Sequence, residues 1–122
     1  MDILAEKEAK FANIIWVNAP VKPGKLAKIC EPLLCWKRTT TYTVLKKLCD
    51  KGFFKVDEDG MVKTVVSRER YREMLSDKII EEYFNGSLSA FVKAYTQKRE
   101  IPPLEAVEIY KYIEISRILE RG

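Results

Sequence analysis

Histidine is absent from the sequence, so the commonest general base and a common metal ligand are both missing. The three cysteines, Cys30, Cys35 and Cys49, have the spacing C-x4-C-x13-C, which lacks the closely spaced pair typical of a zinc site. Cys30 and Cys49 fall on apolar helical stripes, and this position favours small buried side chains in a reducing compartment. The sequence therefore predicts neither a metal site nor a cofactor.

Long apolar runs are also absent. No segment reaches the roughly 18 apolar residues that a membrane span needs, and the start of the chain mixes both charge signs without a signal-peptide core. The sequence has no glycine-rich phosphate loop and no paired carboxylates in a predicted pocket. At 122 residues, the chain has the size of one domain or of a small domain with an appended helical region. We expect a cytoplasmic protein that is not an enzyme.

Positive charge is concentrated in one part of the sequence. The net charge is +4, and residues 37–55 hold six cations but a single anion, Asp50. Such a basic segment is typical of a protein that binds a polyanion. A solvated helix face without a partner would show the same pattern, so charge alone leaves both interpretations open.

The first half of the chain has the apolar spacing of three helices. They are expected at residues 3–17, at Pro23–Cys30 and at residues 38–51. Pro32 is expected to end the second helix, because proline removes a backbone hydrogen bond.

The apolar period then changes to that of a hairpin. Residues 54–56 and 61–66 have strand-like patterns, and Asp59-Gly60 between them is a hairpin turn signal. Three helices and a hairpin in this order predict a winged helix-turn-helix, a mainly α fold with a small β-hairpin. We predict a DNA-binding domain in residues 1–66, with the third helix as recognition helix and the hairpin as wing.

Residues 67–122 have the spacing of three further helices. Helices this short cannot bury all of their large apolar side chains alone, and apolar surface of this size usually marks an interface. A homodimer is the simplest solution, and packing against the N-terminal domain of the same chain is the alternative. We predict a helical dimerisation region whose shared core contains Leu75, Ile79, Leu88, Phe91, Val92, Tyr110 and Ile113.

The third helix offers two kinds of DNA contact. Its inner face is predicted at Thr41, Val44, Leu45, Leu48 and Cys49. Residues on the outer face can meet base edges in the major groove, since threonine hydroxyls donate or accept and threonine methyls touch thymine. We predict base reading by Thr39, Thr40, Tyr42 and Thr43, and contacts with the DNA backbone by Lys37, Arg38, Lys46, Lys47, Lys55 and Lys63. Local capping of the helix by Thr39 or Thr40 is the alternative explanation for the first hydroxyls.

Three segments of the sequence resemble the penicillinase repressor family. They are Ile14-Ile15-Trp16, the run from Trp36 to Leu48 (WKRTTTYTVLKKL), and the run from Tyr83 to Tyr95 (YFNGSLSAFVKAY). The resemblance implies a homodimeric repressor that binds an inverted-repeat operator of double-stranded DNA, in some members at genes for β-lactam resistance. It also implies that a membrane sensor protease, or its downstream signal, inactivates the repressor by cleavage in the C-terminal region.

The family's cleaved Asn-Phe bond aligns here with Ala94-Tyr95, where the asparagine is absent. The main alternative function is a winged-helix module that binds protein partners or RNA without reading an operator. The six cations and the outward threonines of residues 37–55 speak against that alternative.

Overall fold

The helix-turn-helix occupies the N-terminal part of the chain. In the computed structural model, which describes residues 3–121, the first three helices are α1 (Glu6–Asn18), α2 (Pro23–Leu34) and α3 (Arg38–Asp50). At the start of α1, the Glu8 carboxylate accepts a hydrogen bond of 3.0 Å from the Ala5 backbone N–H. At the end of α3, Gly52 has a φ of 87°, the left-handed conformation that glycine supplies at helix ends.

The second helix continues past Pro32, so the prediction that this proline ends it is wrong. Pro32 leaves the Lys28 carbonyl without its usual helical N–H donor, yet the helix continues for two further residues to Leu34. The helix ends instead at Cys35, whose φ of 56° is left-handed and whose N–H donates to the Glu31 carbonyl at 3.0 Å.

The wing is a two-stranded antiparallel hairpin. Strands β1 (Phe54–Val56) and β2 (Val62–Thr64) pair with Lys55 opposite Lys63, and the second strand is shorter than the predicted residues 61–66. Gly60 in the turn has a φ of 78°. Val21, between α1 and α2, bridges to Val62 through two backbone hydrogen bonds of 2.7 and 3.2 Å. This bridge fixes the hairpin beside the helix-turn-helix.

Large apolar side chains from α1, α2, α3 and the hairpin form one core. Its fully buried members include Phe11, Ile15, Leu26, Leu48, Phe53 and Phe54. Tyr71 from the next helix joins them, and its hydroxyl accepts a hydrogen bond of 2.9 Å from the Leu4 N–H, 67 residues away in sequence. The predicted winged helix-turn-helix is therefore confirmed, with a helix from the C-terminal part added to its core.

Three helices complete the chain: α4 (Arg68–Phe84), α5 (Leu88–Thr96) and α6 (Pro103–Arg121). Ser67 and Ser87 cap the first two, since each hydroxyl accepts a backbone N–H three residues ahead, at 3.1 and 3.0 Å. The chain divides into two compact units, Met1–Lys78 and Ile79–Gly122, and α4 contributes residues to both. The functional boundary after residue 66 stays a prediction.

Within residues 3–121, no helix is long and apolar enough to cross a membrane.

Candidate nucleic-acid interface

Helix α3 has one buried and one exposed face. Thr41, Leu45 and Leu48 are buried, and Val44 and Cys49 are half-buried, as the spacing predicts. The exposed face carries Thr39, Thr40, Tyr42, Thr43, Lys46 and Lys47. The structure thus brings all the predicted base-reading residues onto one solvent-facing surface, which has the helix position and chemistry of a major-groove reader.

The start of α3 carries two cations and no side-chain cap. Lys37 is the N-cap residue, Arg38 is the first helical residue, and both side chains are exposed. Neither Thr39 nor Thr40 caps the helix, so the capping explanation for these hydroxyls does not hold. The first backbone N–H groups of a helix have no partner within the helix. Together with two cations, they form a surface that suits a phosphate group.

The two remaining threonines of α3 use their hydroxyls differently. Thr43 Oγ1 donates a hydrogen bond of 2.9 Å to the Thr39 carbonyl one turn earlier, so its lone pairs remain exposed but its proton is engaged. The buried Thr41 hydroxyl has the Cys30 thiol as its polar neighbour and, among the described residues, no hydrogen-bond partner of good geometry. Thr41 therefore belongs to the core of the fold, whereas Thr43 belongs to its surface.

A second basic surface was missed at the sequence level. Lys22, Lys25 and Lys28, at the start of α2, line an open cleft of about 720 Å³ together with Arg38 and the wing turn at Asp59-Gly60. The i, i+3, i+6 spacing of the three lysines could have predicted this surface, since it places them near one side of the helix. The cleft extends the positive surface from α3 to the N-terminus of α2.

The two predicted wing lysines have different surroundings. Lys63 Nζ lies 2.8 Å from Asp57 Oδ2, and the Asp57 carboxylate also accepts the backbone N–H groups of Asp59 and Met61 at 3.0 and 2.9 Å. The Lys63 ammonium, followed by the Met61 N–H, lowers the pKa of Asp57. Lys55 stands opposite Lys63 and is exposed, with no carboxylate paired to it in the described part of the chain. Lys55 is therefore the freer of the two cations.

The cysteines are dispersed over the first unit. Cys30 is buried and Cys49 is half-buried on the inner sides of α2 and α3, whereas Cys35 is exposed. Burial raises the pKa of the Cys30 and Cys49 thiols, which keeps them protonated at neutral pH. Residues 3–121 contain no group of three or more side chains that could hold a metal ion.

The predicted dimerisation residues lie on three helices. Leu75 is half-buried against the core of the first unit, and Ile79 is half-buried near the end of α4. On α5, Phe91 packs edge-on against Phe84 with ring centroids 5.3 Å apart. The others, Leu88, Val92, Tyr110 and Ile113, are exposed by 59, 42, 69 and 45%. Most described side chains of α5 and all those of α6 are exposed, so within the second unit these helices leave apolar side chains open to solvent.

The aligned cleavage pair lies inside a helix. Ala94 and Tyr95 belong to the last turn of α5, and both side chains are exposed. The Arg99 guanidinium lies 4.8 Å from the centre of the Tyr95 ring. A protease that binds its substrate in an extended conformation would have to unfold this turn first.

Comparison with known proteins adds to this geometry. The sequence model of the family described as "Penicillinase repressor" matches residues 4–115. One relative, the penicillinase repressor of Bacillus licheniformis, is 21% identical over 114 residues, which cover 91% of this chain and 89% of that protein. The match to the family model includes the whole helix-turn-helix and wing, α4, α5 and most of α6.

Proposed function

The chain belongs to the penicillinase repressor family, as its motifs predict, and we therefore propose that it is a homodimer that represses transcription from an inverted-repeat operator. Membership of the family makes it a DNA-binding transcriptional repressor, a regulator of genes and not an enzyme. The dimer, the symmetry of the operator and the signal that releases it are the parts we propose. We also propose that it acts in the cytoplasm, as the DNA-binding role of the family suggests.

The exposed face of α3 supports the proposal that this helix reads bases. Thr39, Thr40, Tyr42 and Thr43 face solvent, while the opposite side of the helix is held in the core by Leu45 and Leu48. A rigidly held helix with exposed hydroxyls near its N-terminus has the geometry that major-groove recognition needs. We propose that these four residues contact bases.

The surrounding cations supply the contacts with phosphates. Lys37 and Arg38 flank the start of α3, Lys46 and Lys47 follow on its exposed face, and the lysines of the α2 cleft extend the surface. These contacts set affinity and position but carry no sequence information. We add Lys22, Lys25 and Lys28 to the backbone contacts predicted from the sequence.

The uncovered apolar surface of the second unit supports the proposal that the chain dimerises through it. Tyr110 and Ile113 are among many large exposed apolar side chains on α6, and Leu88 and Val92 are exposed on α5. A monomer rarely leaves a contiguous apolar surface of this kind in water. A second copy of the chain covers it symmetrically and doubles the DNA-binding surface, so that the second half-site is bound at high effective concentration.

We propose that the regulated genes are of the β-lactam-resistance type and that a signal-dependent step inactivates the repressor. The name of the relative from Bacillus licheniformis supports the first part. Cleavage at Ala94-Tyr95 by a membrane sensor protease, or by an enzyme downstream of it, would separate α6 from the rest of the chain. A monomeric winged domain would remain and would bind the operator weakly.

A gel-retardation experiment tests operator reading. Duplexes that the intact protein retains are selected from a random library, and the parent is compared with Thr39→Ala and Tyr42→Ala on the selected and on a scrambled duplex. The loss of one good base contact should cost about 1–3 kcal/mol on the selected duplex only. Equal retention of both duplexes by all three proteins would refute operator reading and favour an RNA-binding or protein-binding module.

Sedimentation of the protein alone tests the dimer, and the intact chain should be a dimer at micromolar concentration. The selected duplexes should carry two half-sites centred about 10 base pairs apart or at a multiple of that distance. A fragment ending at Lys78, which keeps the whole first unit, should be monomeric and should bind the selected duplex far more weakly. A monomeric intact chain, or a fragment as tight as the whole protein, would exclude the dimer mechanism.

A further inference from the structure

A small pocket lies in the first unit, between the segment before α1, α1 itself and the first turns of α4. Its volume is about 280 Å³, just below the range of about 300–1,000 Å³ that is typical of pockets for drug-sized molecules. Leu4, Trp16, Tyr71 and Leu75 supply apolar walls, and Arg68 and Arg72 supply the charge. None of these residues belongs to the predicted DNA surface of α3 and the wing.

The two arginines are an i, i+4 pair of like charges on one face of α4. Such a pair destabilises a helix slightly unless an anion lies between or beside the two charges. Within residues 3–121, neither guanidinium is paired with a carboxylate. By contrast, Arg70, on another face of the same helix, pairs with Glu73 at 2.8 Å.

Arg68 is held in place but incompletely hydrogen-bonded. Its Nη2 donates to the Asn13 carbonyl at 3.1 Å, and its guanidinium lies 5.8 Å from the centre of the Trp16 ring. Its Nε is buried and has no hydrogen-bond partner in the part of the chain that the structure describes. A buried donor of a charged group without an acceptor is unfavourable, and an anion in the pocket would offset part of this cost by pairing with the guanidinium charge.

Tyr71 adds a third donor to the pocket. Its oxygen already accepts the Leu4 N–H at 2.9 Å, and no acceptor among residues 3–121 receives its hydroxyl proton. Two guanidinium groups and one phenolic proton therefore meet aromatic and aliphatic walls in a single concavity. Converging polar groups in an otherwise apolar pocket are the usual form of a small-molecule site.

We propose that this pocket binds a small carboxylate with an apolar body. The planar guanidinium groups match the two oxygens of a carboxylate, and the Trp16 and Leu75 walls match an aromatic or short aliphatic group. Because the ligand bridges α1 and α4, it also stabilises the folded first unit by mass action. The site is separate from operator reading and does not depend on the proposed dimer.

The test uses the intact protein labelled with ¹⁵N and the probe 3-phenylpropionate. Trp16 lines the pocket, whereas Trp36 packs against Phe11 outside it, so the two indole N–H signals serve as reporter and internal reference. The Trp16 signal should shift with a dissociation constant of about 1 mM or lower, as expected for a ligand of this size. The neutral amide, 3-phenylpropionamide, should bind about tenfold more weakly.

Two variants give matched controls. Arg72→Gln removes one exposed guanidinium of the pocket and should weaken binding of the carboxylate about tenfold without lowering thermal stability. Arg70→Gln removes the same charge from the same helix outside the pocket and should leave binding unchanged.

Four results would overturn the proposal. They are equal affinity for carboxylate and amide, equal weakening by the two variants, equal shifts of the two indole signals, and no shift of Trp16 at about 10 mM probe. If the parent does not bind the carboxylate, and Arg72→Gln lowers both the affinity for DNA and its salt dependence, then Arg72 contacts the DNA backbone instead.

Discussion

The wing offers a comparison between two lysines that face each other across a hairpin. Lys55 is exposed, whereas the Lys63 ammonium lies 2.8 Å from the Asp57 carboxylate. If the wing contacts the DNA backbone, Lys55 can bring a full positive charge to a phosphate. Lys63 can do so only by leaving Asp57. We therefore expect Lys55→Gln to weaken DNA binding much more than Lys63→Gln.

The size of the effect follows from counterion release and from symmetry. Each phosphate that a protein neutralises contributes about 0.9 to the slope of log K against log salt concentration. A homodimer presents Lys55 twice, so Lys55→Gln should lower the slope by about 1.8. Over a fourfold rise in salt, from about 50 to about 200 mM, the affinity advantage of the parent should then shrink about twelvefold.

The measurement is a salt titration of binding to one selected duplex by fluorescence anisotropy, with parent, Lys55→Gln and Lys63→Gln side by side. Lys63→Gln is the matched control, because it removes the same charge from the opposite position of the same hairpin. Identical slopes for the parent and Lys55→Gln would show that the wing does not touch phosphates. A loss in Lys63→Gln as large as in Lys55→Gln would contradict the expected difference between the two lysines.

Three further predictions concern the first unit. Tyr71→Phe should cost about 1–3 kcal/mol of unfolding free energy, because the buried Leu4 N–H loses its acceptor, and an unchanged urea midpoint of tryptophan fluorescence would contradict this. The Lys51 ammonium, 2.8 Å from Glu8, holds the pKa of Glu8 below its ordinary value of 4.5. Glu8 thus adds stability above that pH, and this stability is lost as pH falls through the lower folded pKa. When the free energy of unfolding is measured against pH, Glu8→Gln should not show this loss. Gly24→Ala should be at least as stable as the parent, since its Cβ would meet only the Tyr42 hydroxyl at 3.9 Å, and a lower melting temperature would refute this expectation. Weaker DNA binding by the same variant would place a phosphate at the start of α2.

Local pattern was enough to predict most elements of the fold. The i, i+3, i+4 spacing of apolar residues identified the buried face of α3, and Asp59-Gly60 identified the turn of the wing. Both patterns could be recognised because they involve residues close together in sequence. The end of α2 was mispredicted, since the backbone conformation of Cys35, and not Pro32, ends the helix. The left-handed conformation of Cys35 could not be predicted from its residue type.

Contacts between distant residues could not be predicted. The hydrogen bond from Leu4 to Tyr71, the bridge from Val21 to Val62 and the pair of Lys63 with Asp57 all depend on how elements pack in space. The same holds for the α2 lysines, whose place beside Arg38 appears only once α2 and α3 are packed. The roles of the α3 residues in base reading stay a prediction that is based on their exposure and chemistry.

The hydrogen bond from the Thr43 hydroxyl to the Thr39 carbonyl has a consequence for which bases α3 can select. With its proton committed to the helix backbone, Thr43 offers a base only lone pairs and a methyl group. In the major groove, the exocyclic amino groups of cytosine and adenine are donors, whereas guanine presents two acceptors and thymine an acceptor beside its methyl group. Polar contact at Thr43 should therefore favour an amino-bearing base on the contacted strand, and the remaining option is the methyl of thymine. A guanine there would bring its acceptors against the lone pairs of Thr43 and be disfavoured.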